Sequence, residues 1–503
     1  MNKVYYYLVV LAMICIGATL KFANSHEAMP IGCDEFGYLN LARTIDEGTI
    51  SNRPFLNELL DTLRKEGITE PEINWMVTPH AYHILPGTNT VINQYPPGTS
   101  WLLSLFPFEW RNLLFPLLTM LLLIVVPVFV SRNQLFSQWN YFDLIFPAFL
   151  FLVTVSTPFT TEMARVNSLA VTFGLLVAAG MTLRNKPLLS CFLIALTVNF
   201  RIANVLMVMP VLCFLPFISL KTVYGRKQNV MLLLKFGCLT ILAVLPLLIY
   251  NYQLLGNPIA STYSVIDTAV NESGNFLHNL VYYLSPEHHW LRVHAVVLVC
   301  LIICCLIAKM KWVDLAKTIS FPLLNYLFFG WHSVTMDYYP YASAMIMTGM
   351  VFGVILTIKF PEKFRMAAPV TGVLIAVIVL IAGYNKYKKK EHITFEEAKA
   401  KYAVLCKYDV VWCDLFSGTT EYVCHNNGFR FATSTLRARK ITLQYLSNHS
   451  YSQVIIQSDV PMEASVIDSE IQGSGLEYIR VFDKNLGALI VIPGTNSNNS
   501  STH

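Results

Sequence analysis

Charge is what this chain has least of. Only 13% of its 503 residues are Asp, Glu, Lys or Arg, about half of the roughly 25% found in ordinary soluble proteins. A soluble enzyme would lack the surface it needs, and a disordered chain would be far less apolar. Here 54% of residues are apolar and the mean hydropathy is +0.50. Charge imbalance is nearly absent as well, with 36 Lys and Arg against 31 Asp and Glu. That excess is no basis for nucleic-acid binding; a polytopic membrane protein needs it for its cytoplasmic loops. The 11 cysteines show no paired zinc-site spacing, and Cys191, Cys213, Cys238, Cys300, Cys304 and Cys305 lie in apolar runs, where cysteine acts as a small hydrophobe. No internal repeat is visible.

What the chain does have is long apolar runs. The first, residues 4–20, follows Lys3. Its Ala23-x-Ser25 tail also fits a signal peptide, but the polar cluster just behind it favours an uncleaved anchor. Residues 21–96 form a long polar loop with some helical content. Apolar stretches follow at 110–130, 141–157, 168–183, 187–200, 203–219, 231–252, 293–308, 317–335, 339–358 and 366–384, most near the length of about 20 residues that crosses a bilayer. Arg132, Arg184 with Lys186, Lys221 with Arg226 and Lys227, Lys309 with Lys311, and Lys359 with Lys363 and Arg365 share one side if the N-terminus is inside. The expectation is a polytopic α-helical protein of the plasma or inner membrane, with about eleven transmembrane helices, a cytoplasmic N-terminus and an outer C-terminus. Residues 98–108 are too few to span upright and read as re-entrant.

Composition changes after Tyr384. Lys386, Lys388, Lys389 and Lys390 open a polar tail in which 393–407 reads as helix and 410–415, 454–457, 478–482 and 488–492 as strands. The domain expectation is a membrane domain over 1–385, which includes the 21–96 loop, a small extracytoplasmic α/β domain over 386–495, and a disordered Asn/Ser end at 496–503. Cys406, Cys413 and Cys424 fall in the tail, and an oxidising compartment would allow one disulfide there.

Ionisable groups are nearly missing from the spans and gather at their outer ends. This suits a reaction at the membrane surface better than a path through it. The sharpest cluster is Gly32-Cys33-Asp34-Glu35-Phe36-Gly37-Tyr38, at the start of an amphipathic helix. Asp34 is either a helix cap, a general base or, with Glu35, a ligand for a divalent ion. The same loop ends in Asn93-Gln94-Tyr95-Pro96-Pro97-Gly98-Thr99-Ser100, where two prolines and a glycine force a rigid non-helical turn. His80 and His83 are either solvated loop histidines or members of a divalent metal site with the acids. Arg165, in Thr161-Glu162-Met163-Ala164-Arg165, and Arg201, between two short apolar helices, are either snorkelling interfacial residues or holders of a lipid phosphate through paired donors; Glu162 is an obvious ion-pair partner for Arg165. Two further outer segments, Asn251 to Pro258 with Tyr263 and Trp331 to Tyr341, carry belt aromatics; Asp337 and Tyr338 lie in the second.

Taken in order, several of these segments resemble the GT-C fold glycosyltransferases, the superfamily of the protein O-mannosyltransferases and lipid A aminoarabinose transferases. The resemblance covers residues 1–385. It rests on Asp34-Glu35 after the first span, the Tyr95-Pro96-Pro97-Gly98 re-entry, the Arg165 junction, Arg201-Ile202-Ala203-Asn204 in place of an Arg-Pro-Thr-Asn stretch, and Gly256-Asn257-Pro258 with Tyr263 in place of Gly-Ser-Pro. It departs from the pattern where Asp337 precedes Tyr338 instead of an arginine, and where Asn167-Ser168 replaces a further acid. The resemblance implies transfer of a sugar from a polyprenyl-phosphate-linked donor to the hydroxyl of a lipid, glycan or protein acceptor on the outer face. It assigns the base to Asp34 first and Glu35 second, and substrate binding to Arg165, Arg201, Tyr95, Glu162, Asp337 and Tyr338. Two competing classes remain from the residues alone. A transporter of lipid-linked substrates would need broken helices at matching places in two halves, and none is evident. In a non-catalytic envelope glycan assembly protein, the Asp34-Glu35 loop would be expendable.

Overall fold

The computed structural model describes residues 33–46, 54–85, 87–107, 111, 166–183, 186–205, 226–262, 276–285, 395–414 and 416–494, with scattered helical positions between 295 and 306 and at 349–350 and 353–354. All or most of the expected spans at 4–20, 110–130, 141–157, 203–219, 293–308, 317–335, 339–358 and 366–384 lie outside the described residues. So do Glu162, Arg165, Asp337, Tyr338 and the 496–503 end. The chain divides into two compact units: Met1–His26, Pro96–Thr99 and Leu113–Glu391 make one, and Glu27–Tyr95, Ser100–Asn112 and His392–His503 the other. The loop that sequence reasoning kept with the membrane domain thus packs with the tail.

The loop is built of short pieces. Helix α1 is Cys33–Asp46, α2 is Pro54–Lys65 and α3 is Glu70–Val77. In α2, Leu56, Leu59, Leu60 and Leu63 are buried, the i, i+3, i+4, i+7 stripe of a one-faced helix. Thr69 and Glu72 form a capping box at the head of α3, the Thr69 backbone N–H donating to Glu72 Oε2 at 3.0 Å. Strands β1, Tyr82–Ile84, and β2, Val91–Asn93, pair antiparallel; neither was legible as a strand in so short a run. Helix α4, Gly98–Leu103, has 6 residues and rises about 9 Å, far short of a bilayer core of about 30 Å. Helix α4 by itself is too short to span.

The other unit is apolar. Helices α5, Leu169–Thr182, and α6, Pro187–Leu196, are short, whereas α7, Arg226–Leu255, contains the one described helix long and apolar enough to cross a membrane, Val230–Leu255. Helix α8, Phe276–Tyr283, follows. Pro246 interrupts α7: it has no N–H to give the Leu242 carbonyl, and its ring opens the turn it sits in. Asn199 bonds to the groups on either side of it: its Oδ1 accepts from Leu247 N at 3.1 Å and its Nδ2 donates to Ala243 O at 2.8 Å. An unfilled gap there would leave two backbone groups bare in hydrocarbon. Gly256, at φ +69, ends the helix. Close approach governs the contact between α5 and the helical positions around 350. A Cβ at Gly180 would strike Met350 O, and one at Gly353 would strike Val177 O, both nearer than real Cβ contacts come. Gly349 and Gly353 form the small-xxx-small pattern that lets membrane helices touch backbone to backbone.

The tail is an α/β sandwich. Helix α9 (Phe395–Tyr402), strand β3 (Val410–Cys413), helix α10 (Ser417–Cys424), strand β4 (Asn427–Arg430), helix α11 (Leu436–Asn448), strand β5 (Gln453–Ile456), helix α12 (Ala464–Gly473), and strands β6 (Ile479–Asp483) and β7 (Gly487–Ile492) alternate along it. The sheet runs β4-β3-β5-β7-β6, with β3 parallel to β4 and β5, and with β7 antiparallel to β5 and β6. Four strands were legible; β4, Asn427-Gly428-Phe429-Arg430, was not, because its alternation is hidden by Gly428. Trp412 fills the core edge-on to Phe429 and Phe431, and a disulfide joins Cys406 to Cys424. The loop supplies helices that cover this sheet. Helix α1 meets α10, where Gly418 leaves room for the Phe36 ring, α3 meets β4 and α11, and α2 meets α11. Neither α1, α2 nor α3 could bury its apolar stripe alone, which is why loop and tail form one unit.

Gly353→Leu should push α5 and its neighbour apart, at a cost of about 1–3 kcal/mol by overpacking. The thermal midpoint of the purified protein in detergent should drop, while the Cys406–Cys424 bond still forms. An unchanged midpoint would contradict the close helix contact.

Candidate active site in the first loop

The first turn of α1 carries Cys33, Asp34 and Glu35, and the chain at 93–100 clamps it. Asn93 Nδ2 donates to Gly37 O at 2.8 Å while its Oδ1 accepts from Tyr95 N at 2.8 Å. Ser100 Oγ donates to Tyr38 O at 3.0 Å. The Tyr95 ring packs on Tyr38, with centroids 4.7 Å apart, and a Cβ at position 37 would run into that ring. Gly37 is there because the tyrosine is. The consequence is that Tyr95 Oη donates to Asp34 Oδ1 at 2.5 Å. The two sequence motifs of the loop, 61 residues apart, meet at one hydrogen bond.

Behind Tyr95 the polar contacts form a directional chain. Its phenol proton is committed to Asp34, so Cys33, 3.1 Å away, is the donor to Tyr95 Oη. Gln94 Nε2 donates to Cys33 Sγ at 3.7 Å. His83 Nε2 donates to Gln94 Oε1 at 2.6 Å, and Asn74 Nδ2 donates to His83 Nδ1 at 2.8 Å. The amide donor fixes the His83 tautomer, and Asn74 is itself fixed, its Oδ1 accepting from Ile84 N at 2.8 Å. Aligned donors of this kind polarise one another, and all point toward the Asp34 carboxylate. Burial and the charge of Asp34 push the Cys33 thiol up to about 12, which keeps its proton in place for that role.

His80 sits apart from this chain. Burial first, and then the Arg430 cation, push it down to about 4, partly offset by a hydrogen bond to the Asp414 backbone; its Nδ1 lies 3.5 Å from Arg430 Nη1. His83 spends both ring nitrogens on the loop and His80 turns one to a cation. Among the described residues no three His, Cys, Asp or Glu side chains come together as a group that could hold a metal ion. In this arrangement the two histidines brace the loop.

Arg201 lies in the apolar unit. Residues 197–199 and 202–204 are single 3₁₀ turns, and Arg201 between them is extended, at φ −151 and ψ 114. It is half-exposed, and its Nε has no hydrogen-bond partner. Within the same unit a Cβ at Gly98 would collide with Asn199 O, so the Pro96-Pro97-Gly98 turn rests on the residue that patches α7. Arg430 and Asn74 are the participants that sequence reasoning missed. Arg430 was out of sight because the tail was read as a separate module; a buried arginine in a strand rich in apolar neighbours was the available signal.

No family model matches the chain, and no curated protein matches it. Solved structures do. The ArnT of Cupriavidus metallidurans bound to undecaprenyl phosphate is similar at a TM-score of 0.54 and 11% identity, over 98% of each chain. The same enzyme in its apo state gives 0.55 and 10%, over 96% of this chain and 97% of that one. An Archaeoglobus fulgidus oligosaccharyltransferase tethered to an acceptor peptide with an NVT sequon gives 0.50 and 11%, over 95% and 69%. The chain has the GT-C fold of these proteins, and it has it along nearly its whole length, tail included.

Acid should loosen the loop–tail unit through His80. Its folded value, about 4, lies below the 6.5 of a free histidine, so below about pH 6.5 the unfolded chain takes up a proton that the folded one refuses. The stabilising contribution of neutral His80 is complete above that range and is lost as pH falls toward 4. Thermal midpoints of wild type should therefore fall more steeply between pH 7 and about 4 than those of His80→Gln. Parallel curves would show that His80 is not buried in its neutral form.

Proposed function

We propose that the chain is a membrane glycosyltransferase that moves a sugar from a polyprenyl-phosphate-linked donor to an acceptor hydroxyl on the extracytoplasmic face. The observation that carries this reading is the Asp34 carboxylate, held at a helix start by the Tyr95 phenol at 2.5 Å, in a chain with the fold of ArnT and the oligosaccharyltransferase. A phosphate-linked sugar already has a good leaving group, so the chemistry asks little of an acid. It asks for a base on the acceptor and for positive charge on the departing phosphate. Asp34 takes the proton of the acceptor hydroxyl as the hydroxyl oxygen attacks the anomeric carbon, and the carbon–oxygen bond to the phosphate breaks with its electron pair leaving on the phosphate. Arg201, with its unused donor, and Arg165 hold that phosphate; a guanidinium suits it because it offers paired N–H groups. Glu35, about 100° around the helix from Asp34, is the second choice of base. Glu162, Asp337 and Tyr338 contact the substrates.

The orientation follows from the loop charges: N-terminus inside, first loop and tail outside, with about eleven spans in all, the first of them before the loop. The Cys406–Cys424 bond supports that placement, since such bonds persist in oxidising compartments. A thiol introduced at Asn448, which is exposed, should react with an impermeant reagent in intact cells, and one at Arg226 should not. Labelling only at position 226 would reverse the topology.

The transfer itself is tested by mass spectrometry of envelope glycans and glycolipids from cells lacking the protein, complemented with wild type or with Asp34→Asn. Asp34→Asn keeps the size of the side chain and its acceptor for Tyr95 but removes the basic oxygen. Wild type should restore a missing sugar, and Asp34→Asn should restore less than about a hundredth of it, in line with losing a positioned base. Full restoration by Asp34→Asn would exclude it as the base.

A further inference from the structure

Arg430 is the last residue of β4, the edge strand of the tail sheet, and is 2% exposed. Its guanidinium stacks over the Trp75 ring, 4.5 Å from the centroid. Nη1 lies 3.5 Å from His80 Nδ1 and donates to it, Nη2 donates to the Asn74 carbonyl oxygen at 3.5 Å, and Nε has no hydrogen-bond partner. Burial pushes the group down to about 10, with Cys33 and Asp414 holding it up, so it stays a cation at neutral pH. Sheet building does not require a buried cation at the end of an edge strand; an apolar residue would cover Trp75 without the desolvation cost of a charge. What an arginine adds is a flat fork that grips two acceptors of one segment from a fixed strand.

The place it grips is informative. Asn74 begins the donor chain that passes through His83, Gln94, Cys33 and Tyr95 to the Asp34 carboxylate. Arg430 holds the Asn74 backbone, while the same residue's side chain orients His83. Cys33, next to Asp34, also feels the Arg430 charge. On the tail side, Arg430 feels the charge of Asp414, whose carboxylate accepts from Ala432 N at 3.2 Å and whose own N–H donates to Asp459 Oδ2 at 2.7 Å. Rigid tail, cation, segment 74–80 and donor chain are thus linked in series.

We propose that Arg430 is a positioning residue for the Asp34 site, so that the tail domain is a working part of that site and not an appended module. The inference rests on Asp34 being the base of the transfer proposed above.

The test uses full-length protein in native membranes, with a panel of undecaprenyl-phosphate-linked hexoses and pentoses assayed for release of undecaprenyl phosphate in the presence of an envelope extract. Arg430→Met and Arg430→Lys are compared with wild type and Asp34→Asn, and folded protein is counted as the protease-resistant fraction with the tail disulfide intact. Arg430→Met should lose about 10- to 100-fold in turnover per folded molecule, the range expected when a reacting group is misplaced by about an ångström. Its half-saturating donor concentration should stay within about twofold of wild type, because donor binding is not what it lost. Arg430→Lys, which keeps the charge but not the fork, should fall between them. A variant that merely folds less, with normal turnover per folded molecule, would overturn the proposal. If Arg430→Met yields no folded protein, Arg430→Lys decides: wild-type turnover overturns the proposal, reduced turnover at unchanged donor affinity supports it. Asp34→Asn separates the two levels. If it transfers normally, Asp34 is not the base and the reading on which the inference rests fails; if it is inactive while Arg430→Met turns over normally, only the inference about the tail fails.

Discussion

The hydrogen bond from Tyr95 to Asp34 is the constraint around which the first loop is arranged. For the phenol to reach that carboxylate, residue 37 must lack a side chain, Asn93 must tie the incoming strand to the Gly37 carbonyl, and Ser100 must hold the next turn of the helix. The donors behind the phenol then have only one direction in which to point, and His83 is drawn in as a strut with a defined tautomer. The acid at the head of α1 is therefore not a loosely placed helix cap. It is the end of a line of polarised groups whose far end is fixed on the tail sheet through Asn74 and Arg430.

A similar economy governs the apolar unit. Pro246 opens a gap in a long helix, and one amide, Asn199, closes it with both of its functional ends. That residue ends one short helical run, is followed two positions on by the extended Arg201, and its carbonyl is the surface on which Gly98 rests. A break in the helices that would be costly in hydrocarbon is repaired by the segment that carries the candidate phosphate-binding arginine. The Pro96-Pro97-Gly98 turn is therefore seated on that same segment.

Much of this was legible in the sequence, and the residues show why. Asp34, Tyr95 and Arg201 stood out because polar groups are scarce here and each lay beside a helix start, a proline pair or a helix break. The α/β character of the tail followed from β3, β5, β6 and β7, whose apolar runs are clear, and the short length of α4 followed from the span of 98–108. The missed features were those in which meaning depends on a distant partner. Asn427–Arg430 is a strand only because β3 lies beside it. His80 and His83 have a spacing that fits a metal site, and only the positions of Arg430, Asn74 and Gln94 show that their nitrogens are otherwise engaged. Gly349 and Gly353 read as ordinary span glycines until the backbone of α5 lies against them. The union of loop and tail was hidden for the same reason, since the stretches that pack together are separated by the whole membrane unit.

The base role proposed for Asp34 depends on Tyr95 holding its carboxylate in place. Replacing Tyr95 by Phe removes one oxygen and leaves the ring on Tyr38 and above Gly37. Turnover per folded molecule of Tyr95→Phe, measured with the undecaprenyl-phosphate-linked sugar that wild type consumes, tests it most directly. Turnover should fall about tenfold or more, at unchanged folded yield and donor affinity, as expected for a base freed from its position. Wild-type turnover by a folded Tyr95→Phe protein would contradict it.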